Sequence, residues 1–220
     1  MNKKKIFIAC DTTNINRVKK IINNSQTNKI EIGYKFGLEF MNSKKGRSFI
    51  STLKNKIVFI DLKLNDTVNT MLSAVKALRD LKINYLTVHL SSGLKALKAV
   101  KKVSGKIKII GVTVLTSLNH TDLKLIGFNR SVNNLVAHQT KLANKASLDA
   151  IVCSPYEVNI VRKIFKGEII TPGIQLGKKN YDQKRSMKAK KVNSDWLVIG
   201  RAITRGNIKK NIQNLAKELS

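Results

Sequence analysis

Ile57-Val58-Phe59-Ile60-Asp61-Leu62-Lys63-Leu64-Asn65-Asp66 joins an apolar, β-branched run to a polar end, and a stretch with helical spacing, Asp66 to Leu81, follows at once. A short run of this kind reads as a strand buried on both faces, and apolar residues three and four apart read as a core-facing helix. Strand followed by helix is one unit of a parallel sheet. Outward from this stretch the alternation repeats in both directions. Strands are predicted at Lys5 to Cys10, Ile30 to Tyr34, Ile57 to Asp61, Tyr85 to His89, Ile107 to Val112, Ala150 to Cys153, Glu168 to Thr171 and Trp196 to Ile199. Helical spacing marks Asn14 to Ile22, Asp66 to Leu81, Gly93 to Lys102, Asn133 to Lys145, Pro155 to Phe165 and Asn207 to Leu219. Eight such units in 220 residues predict an α/β chain folded as a (β/α)8 TIM barrel, a single domain over residues 1–220 without large insertions. An open doubly wound sheet is the structural alternative.

In a TIM barrel the chemistry sits at the carboxyl ends of the strands and in the loops beyond them. Those ends carry Asp11, Lys35, Asp61 with Lys63 and Asp66, His89, Thr116 with Ser117, Gln183, and Gly200 with Arg201. Asp61 and Lys63 are expected on one side of an extended backbone, with Asp66 opening the next helix, so that two carboxylates flank one ammonium. A lysine so placed stays charged and can deliver a proton. Spacing alone favours the plainer reading, in which Asp66 caps the helix and Asp61 with Lys63 forms an ordinary strand-end ion pair. Gly200-Arg201 reads as a tight turn with a surface arginine or as an anion site, and Thr116 as a ligand contact or a locally satisfied strand-end residue. His89, a lone strand-end histidine, reads as structural. Trp196 and Tyr85 begin strands and read as packing at the barrel floor.

Composition narrows the partners. The longest apolar runs, such as 56–62 and Trp196 to Ile199, fall far short of the roughly 20 residues of a membrane span, and 6–10 is too short for a signal sequence. No membrane partner and a cytoplasmic location are expected. Cys10 and Cys153 are the only cysteines and have no histidine at ligand spacing, so neither a metal site nor a disulfide framework is predicted. The formal charge of +29 raises the question of nucleic acid, but the lysines are dispersed along the whole chain among many Asn and Ile rather than clustered. Such dispersed charge favours solubility and steering of an anionic substrate, and no nucleic-acid partner is expected. Leu176 to Lys184, Lys-rich and lying between the last two barrel strands, reads as a lid.

Asp61-x-Lys63-x-x-Asp66 followed by Thr70 resembles the signature of the orotidylate decarboxylase family, and further blocks resemble that family in order along the chain. They are Ile8-Ala9-Cys10-Asp11, Ile32-Gly33-Tyr34-Lys35-Phe36-Gly37, Val88-His89, Gly111-Val112-Thr113-Val114-Leu115-Thr116-Ser117, Val152-Cys153-Ser154, Thr171-Pro172-Gly173-Ile174, Asp182-Gln183-Lys184-Arg185 and Val198-Ile199-Gly200-Arg201. Two departures stand out: Gln175 where the bacterial family usually has Arg, and Ala202 where it usually has Pro. The first removes one phosphate-side cation, which Gln175 as a donor and Lys178 or Lys179 as charges are expected to replace in part.

The resemblance implies decarboxylation of orotidine 5′-monophosphate without a cofactor or metal. It implies that Asp61 lies against the departing carboxylate, that Lys63 stabilises the carbanion at C6 and protonates it, and that Lys35 holds Asp61 and touches the ribose. Asp11 would bind a ribose hydroxyl, Thr116 the pyrimidine, and Gln175, Gln183, Gly200 and Arg201 the phosphate. Asp66 and Thr70 would reach across a homodimer interface into the neighbouring site. Two other readings remain. A metal-dependent sugar-phosphate enzyme of the same barrel group would carry an acidic ligand at the place of Lys35, whose charge repels magnesium. A basic binding module would leave Asp61 and Asp66 opposing a polyanion.

Overall fold

Eight parallel strands close into a barrel in the computed structural model, which describes residues 4–175, 187–188 and 192–219. The strands are β1 (Lys5–Ala9), β2 (Glu31–Gly37), β3 (Ile57–Leu64), β4 (Tyr85–His89), β5 (Lys108–Val112), β6 (Ala150–Val152), β7 (Glu168–Thr171) and β10 (Trp196–Ile199). They neighbour one another in the order β1-β10-β7-β6-β5-β4-β3-β2. Two short strands, β8 (Ile174–Gln175) and β9 (Met187–Lys188), pair with each other outside the barrel.

Helices wrap the outside: α1 (Ile15–Asn24), α2 (Leu38–Met41), α3 (Gly46–Thr52), α4 (Val68–Leu78), α5 (Gly93–Val103), α6 (His120–Leu125), α7 (Val132–Lys145), α8 (Val158–Ile164), α9 (Arg201–Thr204) and α10 (Ile208–Leu219). Each long helix presents one apolar stripe inward. α4 buries Met71, Val75 and Leu78, and α5 buries Ala96, Leu97 and Val100. At the start of α1 the Asn14 side chain accepts from the Arg17 amide, satisfying one of the orphan donors of the first turn. Among the described residues no helix is long and apolar enough to cross a membrane.

The strand residues facing the lumen form a second, separate core: Phe7, Phe59, Tyr85, Ile110, Ala150, Ile170 and Trp196. Phe7 stacks on Trp196 with ring centroids 4.1 Å apart, while Phe59 and Tyr85 meet it edge-on at 5.0 Å and 5.2 Å. Space for these rings comes from Gly33, since a Cβ there would lie 2.6 Å from the Phe7 ring. Below the aromatic layer, Glu168 accepts from the Tyr85 hydroxyl at 2.9 Å and from Lys108 at 3.1 Å, closing the amino-terminal floor of the barrel. Tyr85 and Trp196 are therefore packing residues, as their position at strand starts suggested.

The barrel and its eight strands match the sequence reading, and the differences are local. β2 continues past Tyr34 to Gly37, taking Lys35 into the strand, and β3 continues past Asp61 to Leu64. α2 and α3 fill the connection between β2 and β3, where no helical spacing stood out, because a single turn and a seven-residue helix are too short to show a period. α6 was also unmarked, although Asn119 and Asp122 form a reciprocal capping box at its start.

Candidate active site

Along a strand every second side chain faces the same way, so the aromatic layer dictates what lies one step above it in the lumen. From Phe7 the chain reaches Ala9 and Asp11, from Gly33 Lys35, from Phe59 Asp61, from Tyr85 Thr87, and from Trp196 Val198 and Gly200. Across the barrel from β2 the same count from Ile110 and Ala150 gives Val112 and Val152. Most of these residues line one cavity of about 300 Å³ at the carboxyl end of the strands. That size is at the lower end of small-molecule sites. One wall is charged and the other, with Val112, Val152, Ile174 and Val198, is apolar.

The charged wall is a row of alternating sign. Lys35 Nζ lies 3.3 Å from Asp11 Oδ1 and 3.4 Å from Asp61 Oδ2, and Lys63 Nζ lies 2.9 Å from Asp61 Oδ1. Strand register builds it: Ala9 pairs with Lys35 and Gly37 with Asp61, and the Cys10 amide donates to the Lys35 carbonyl at 2.9 Å. The Lys35 and Asp61 side chains are each only 12% exposed, Lys63 is 34% exposed, and Asp11 opens to solvent.

Burial alone would push the Asp61 carboxyl up, but the ammonium groups of Lys35 and Lys63 override it and hold the group below the usual carboxylate range. Burial alone would lower Lys35, and the carboxylates of Asp61 and Asp11 hold it above the usual lysine value. Asp61 and Lys35 are therefore both ionised at neutral pH. Burial drives the Cys10 thiol up to about 12, with Asp11 adding to the effect, so it is inert there. His89, half-buried, is held below its ordinary value first by burial and then by Lys63. It does not line the cavity.

Lys63 departs from the expected extended backbone. Its φ is +50°, in the left-handed region, and the pairing of β3 with β4 shifts register between Ile60 and Leu64. Asp61 and Lys63 still meet, through a bulge rather than a regular pleat. The expected second carboxylate beside Lys63 is not supplied by Asp66 of the same chain. Asp66 is exposed and its Oδ1 accepts from the Thr67 amide at 2.6 Å, while Thr70 shares a hydroxyl contact with Thr67 at 3.0 Å. Neither residue lines the cavity, and α4 takes Thr67 rather than Asp66 as its N-cap.

Of the remaining expected residues, Thr116 lines the cavity after β5, and Gly200 and Arg201 line it after β10, where α9 begins. Ala202 lines it as well. Ser117 is exposed and outside it. Gln175 contributes β8 backbone beside Lys188, and its side chain lies outside the described residues. Gln183 and the expected lid over 176–184 lie outside the described residues too. Among the described residues no group of three His, Cys, Asp or Glu side chains is placed to hold a metal ion.

The sequence reading passed over Thr87, which donates to Asp61 Oδ1 at 3.0 Å and accepts from the Lys63 amide at 2.8 Å. It also passed over the apolar wall. Counting in twos reaches Thr87 from Tyr85, Val198 from Trp196, and Val112 and Val152 from Ile110 and Ala150.

The chain matches the profile of the Orotidine 5′-phosphate decarboxylase / HUMPS family over residues 4–212. It is 41% identical over 210 residues to the orotidine 5′-phosphate decarboxylase of Wolbachia pipientis from Culex pipiens, covering 90% of this chain and 91% of that one. It is 35% identical to the enzyme of that name from Buchnera aphidicola of Baizongia pistaciae, covering 90% and 89%. The solved orotidine 5′-phosphate decarboxylase of Lactobacillus acidophilus superposes with a TM-score of 0.83 at 26% identity over 99% of this chain and 100% of that one. Similarity on this scale, spanning every barrel strand and the charged row at its mouth, shows that the chain belongs to the orotidine 5′-phosphate decarboxylase / HUMPS family.

Proposed function

We propose that this protein is a cytoplasmic, homodimeric carboxy-lyase that converts orotidine 5′-monophosphate to uridine 5′-monophosphate and carbon dioxide, the last step of de novo pyrimidine nucleotide synthesis. The observation that carries the reading is the row Asp11, Lys35, Asp61 and Lys63, alternating acid and base at 2.9–3.4 Å, along one wall of a cavity whose other wall is apolar. In the reaction the bond from C6 to the carboxylate breaks, its electron pair stays on C6, and carbon dioxide leaves. The Lys63 ammonium then gives its proton to C6 and is reprotonated from solvent, to which it is partly open. Charge on C6 has little resonance relief, so the barrier falls chiefly through groups already oriented around it. Asp61, held ionised by two lysines, opposes the substrate carboxylate in the ground state and faces a neutral product afterwards.

The other roles follow the family resemblance, and the places of Lys35, Asp11, Thr116, Gly200 and Arg201 on the cavity wall support them. Lys35 fixes Asp61 and reaches the ribose, Asp11 takes a ribose hydroxyl, and Thr116 meets the pyrimidine. Gly200 and Arg201 hold the phosphate with Gln175 and Gln183, at the corner where barrel folds commonly bind it. Asp66 and Thr70, turned away from their own cavity, complete the site of the partner subunit. No metal is called for, because the Lys35 ammonium already occupies the place between Asp11 and Asp61 that a divalent cation would take. That observation disfavours the metal-dependent members of the wider family.

Lys63→Ala tests the assignment. Turnover of orotidine 5′-monophosphate is expected to fall at least about 10²- to 10⁴-fold, the range for loss of a positioned proton donor, with the circular dichroism spectrum unchanged. Near-normal turnover by that variant overturns the role of Lys63.

A further inference from the structure

Between β3 and β4 the ladder pairs Phe59 with Tyr85 and Ile60 with Leu86, and resumes only at Leu64 with Val88. Asp61, Leu62 and Lys63 therefore face the single residue Thr87. This is where the chain turns left-handed at Lys63, a conformation that a lysine rarely takes and that needs outside support. The bulge also strips the Lys63 amide of a ladder carbonyl. Thr87 supplies the missing acceptor: its Oγ1 takes the Lys63 N–H at 2.8 Å. With that lone pair engaged, the hydroxyl proton points to Asp61 Oδ1 at 3.0 Å, the same oxygen that receives the Lys63 ammonium at 2.9 Å. The Thr87 side chain is fully buried and does not line the cavity, so it lies behind the charged row rather than against a ligand.

We infer that Thr87 is a positioning residue: its hydroxyl clamps the Lys63 backbone and the Asp61 carboxylate together and so fixes where the ammonium and the carboxylate meet the reacting carbon. The inference rests on the roles proposed above for Lys63 and Asp61. One hydroxyl, with a single proton and two lone pairs, serves both ends of the bulge at once. No apolar residue of that shape can replace it without leaving a buried amide and a carboxylate oxygen each short of a partner. Because the clamp acts on the orientation of the proton donor, its loss should register in the chemical step and leave binding of the nucleotide body intact.

The test compares wild type, Thr87→Val, Thr87→Ser and Lys63→Ala with orotidine 5′-monophosphate under steady-state conditions. Thr87→Val should lower kcat about 10- to 100-fold, the worth of a hydrogen bond to a charged group, with KM within about threefold. Thr87→Ser keeps the hydroxyl and should restore kcat to within about threefold of wild type. If Thr87→Val does not fold, Thr87→Ala carries the same comparison, since it removes the hydroxyl without setting a methyl group against Asp61. Wild-type kcat in a variant without the hydroxyl overturns the inference, and so does a loss that serine fails to restore. Activity surviving in Lys63→Ala sinks the underlying site reading instead, which separates the two failures.

Discussion

Replacing Asp61 by Asn removes the one carboxylate that Lys35 and Lys63 share. Their ammonium groups approach it to 3.4 Å and 2.9 Å. The two cations then face each other without it, and for two unit charges about 5–8 Å apart at an effective dielectric of about 20 the repulsion amounts to about 2–3 kcal/mol. The upper end of that range meets the roughly 3–5 kcal/mol lost when one partner of a buried ion pair is deleted. Asp61→Asn is therefore expected to lower the free energy of unfolding by about 3 kcal/mol at pH 7, read as a shift in urea midpoint at constant slope. The gap to wild type should narrow on both sides of neutrality. Asp61 has a folded pKa below its unfolded value, so its stabilisation is present above the ordinary carboxyl pKa and disappears as pH falls through the folded one. Lys35 has a folded pKa above its unfolded value. Its contribution is present below the ordinary lysine pKa and is lost as pH rises through the folded one. A variant within about 0.5 kcal/mol of wild type at pH 7, the ordinary range for surface changes, would refute the claim that the row is electrostatically coupled.

Gly33→Ala should destabilise the barrel by about 1–3 kcal/mol, because its Cβ would sit 2.6 Å from the buried Phe7 ring; chemical denaturation measures it, and a neutral change would argue against the packed lumen. Arg201→Ala should raise KM about 10- to 100-fold with little change in kcat, as for loss of a charge-assisted contact made equally in ground and transition states; an unchanged KM would remove Arg201 from the phosphate site. Mixing Lys63→Ala with Asp66→Ala subunits after reversible dissociation should recover about a quarter of wild-type activity, since half of the randomly formed dimers carry one intact site. No recovery in dimers shown to exchange would place Asp66 outside the partner's site.

The barrel was legible because its strands are buried on both faces and its longer helices carry full apolar stripes. Both patterns are local and survive without tertiary context. The charged row was legible as a set of residue types at strand ends, but not as geometry. Lys63 sits in a left-handed turn that nothing in Asp61-Leu62-Lys63 announces. Thr87, inside Tyr85-Leu86-Thr87-Val88, looks like any β-branched strand residue until the register shift opposite it is known. The helices between β2 and β3 were missed because Leu38–Met41 is a single turn and Gly46–Thr52 is rich in Ser and Thr. Asp66 and Thr70 show the limit of reading one chain: both are exposed and off the cavity of their own barrel, and the part proposed for them needs a second copy, which sequence spacing cannot supply.

The most direct test of the account is to incubate the wild-type protein with orotidine 5′-monophosphate in a chelating buffer and follow the loss of substrate absorbance as uridine 5′-monophosphate forms. Rapid conversion that added magnesium does not change is the predicted result. A folded protein that leaves the substrate intact, or that turns it over only when a divalent metal is restored, would contradict it.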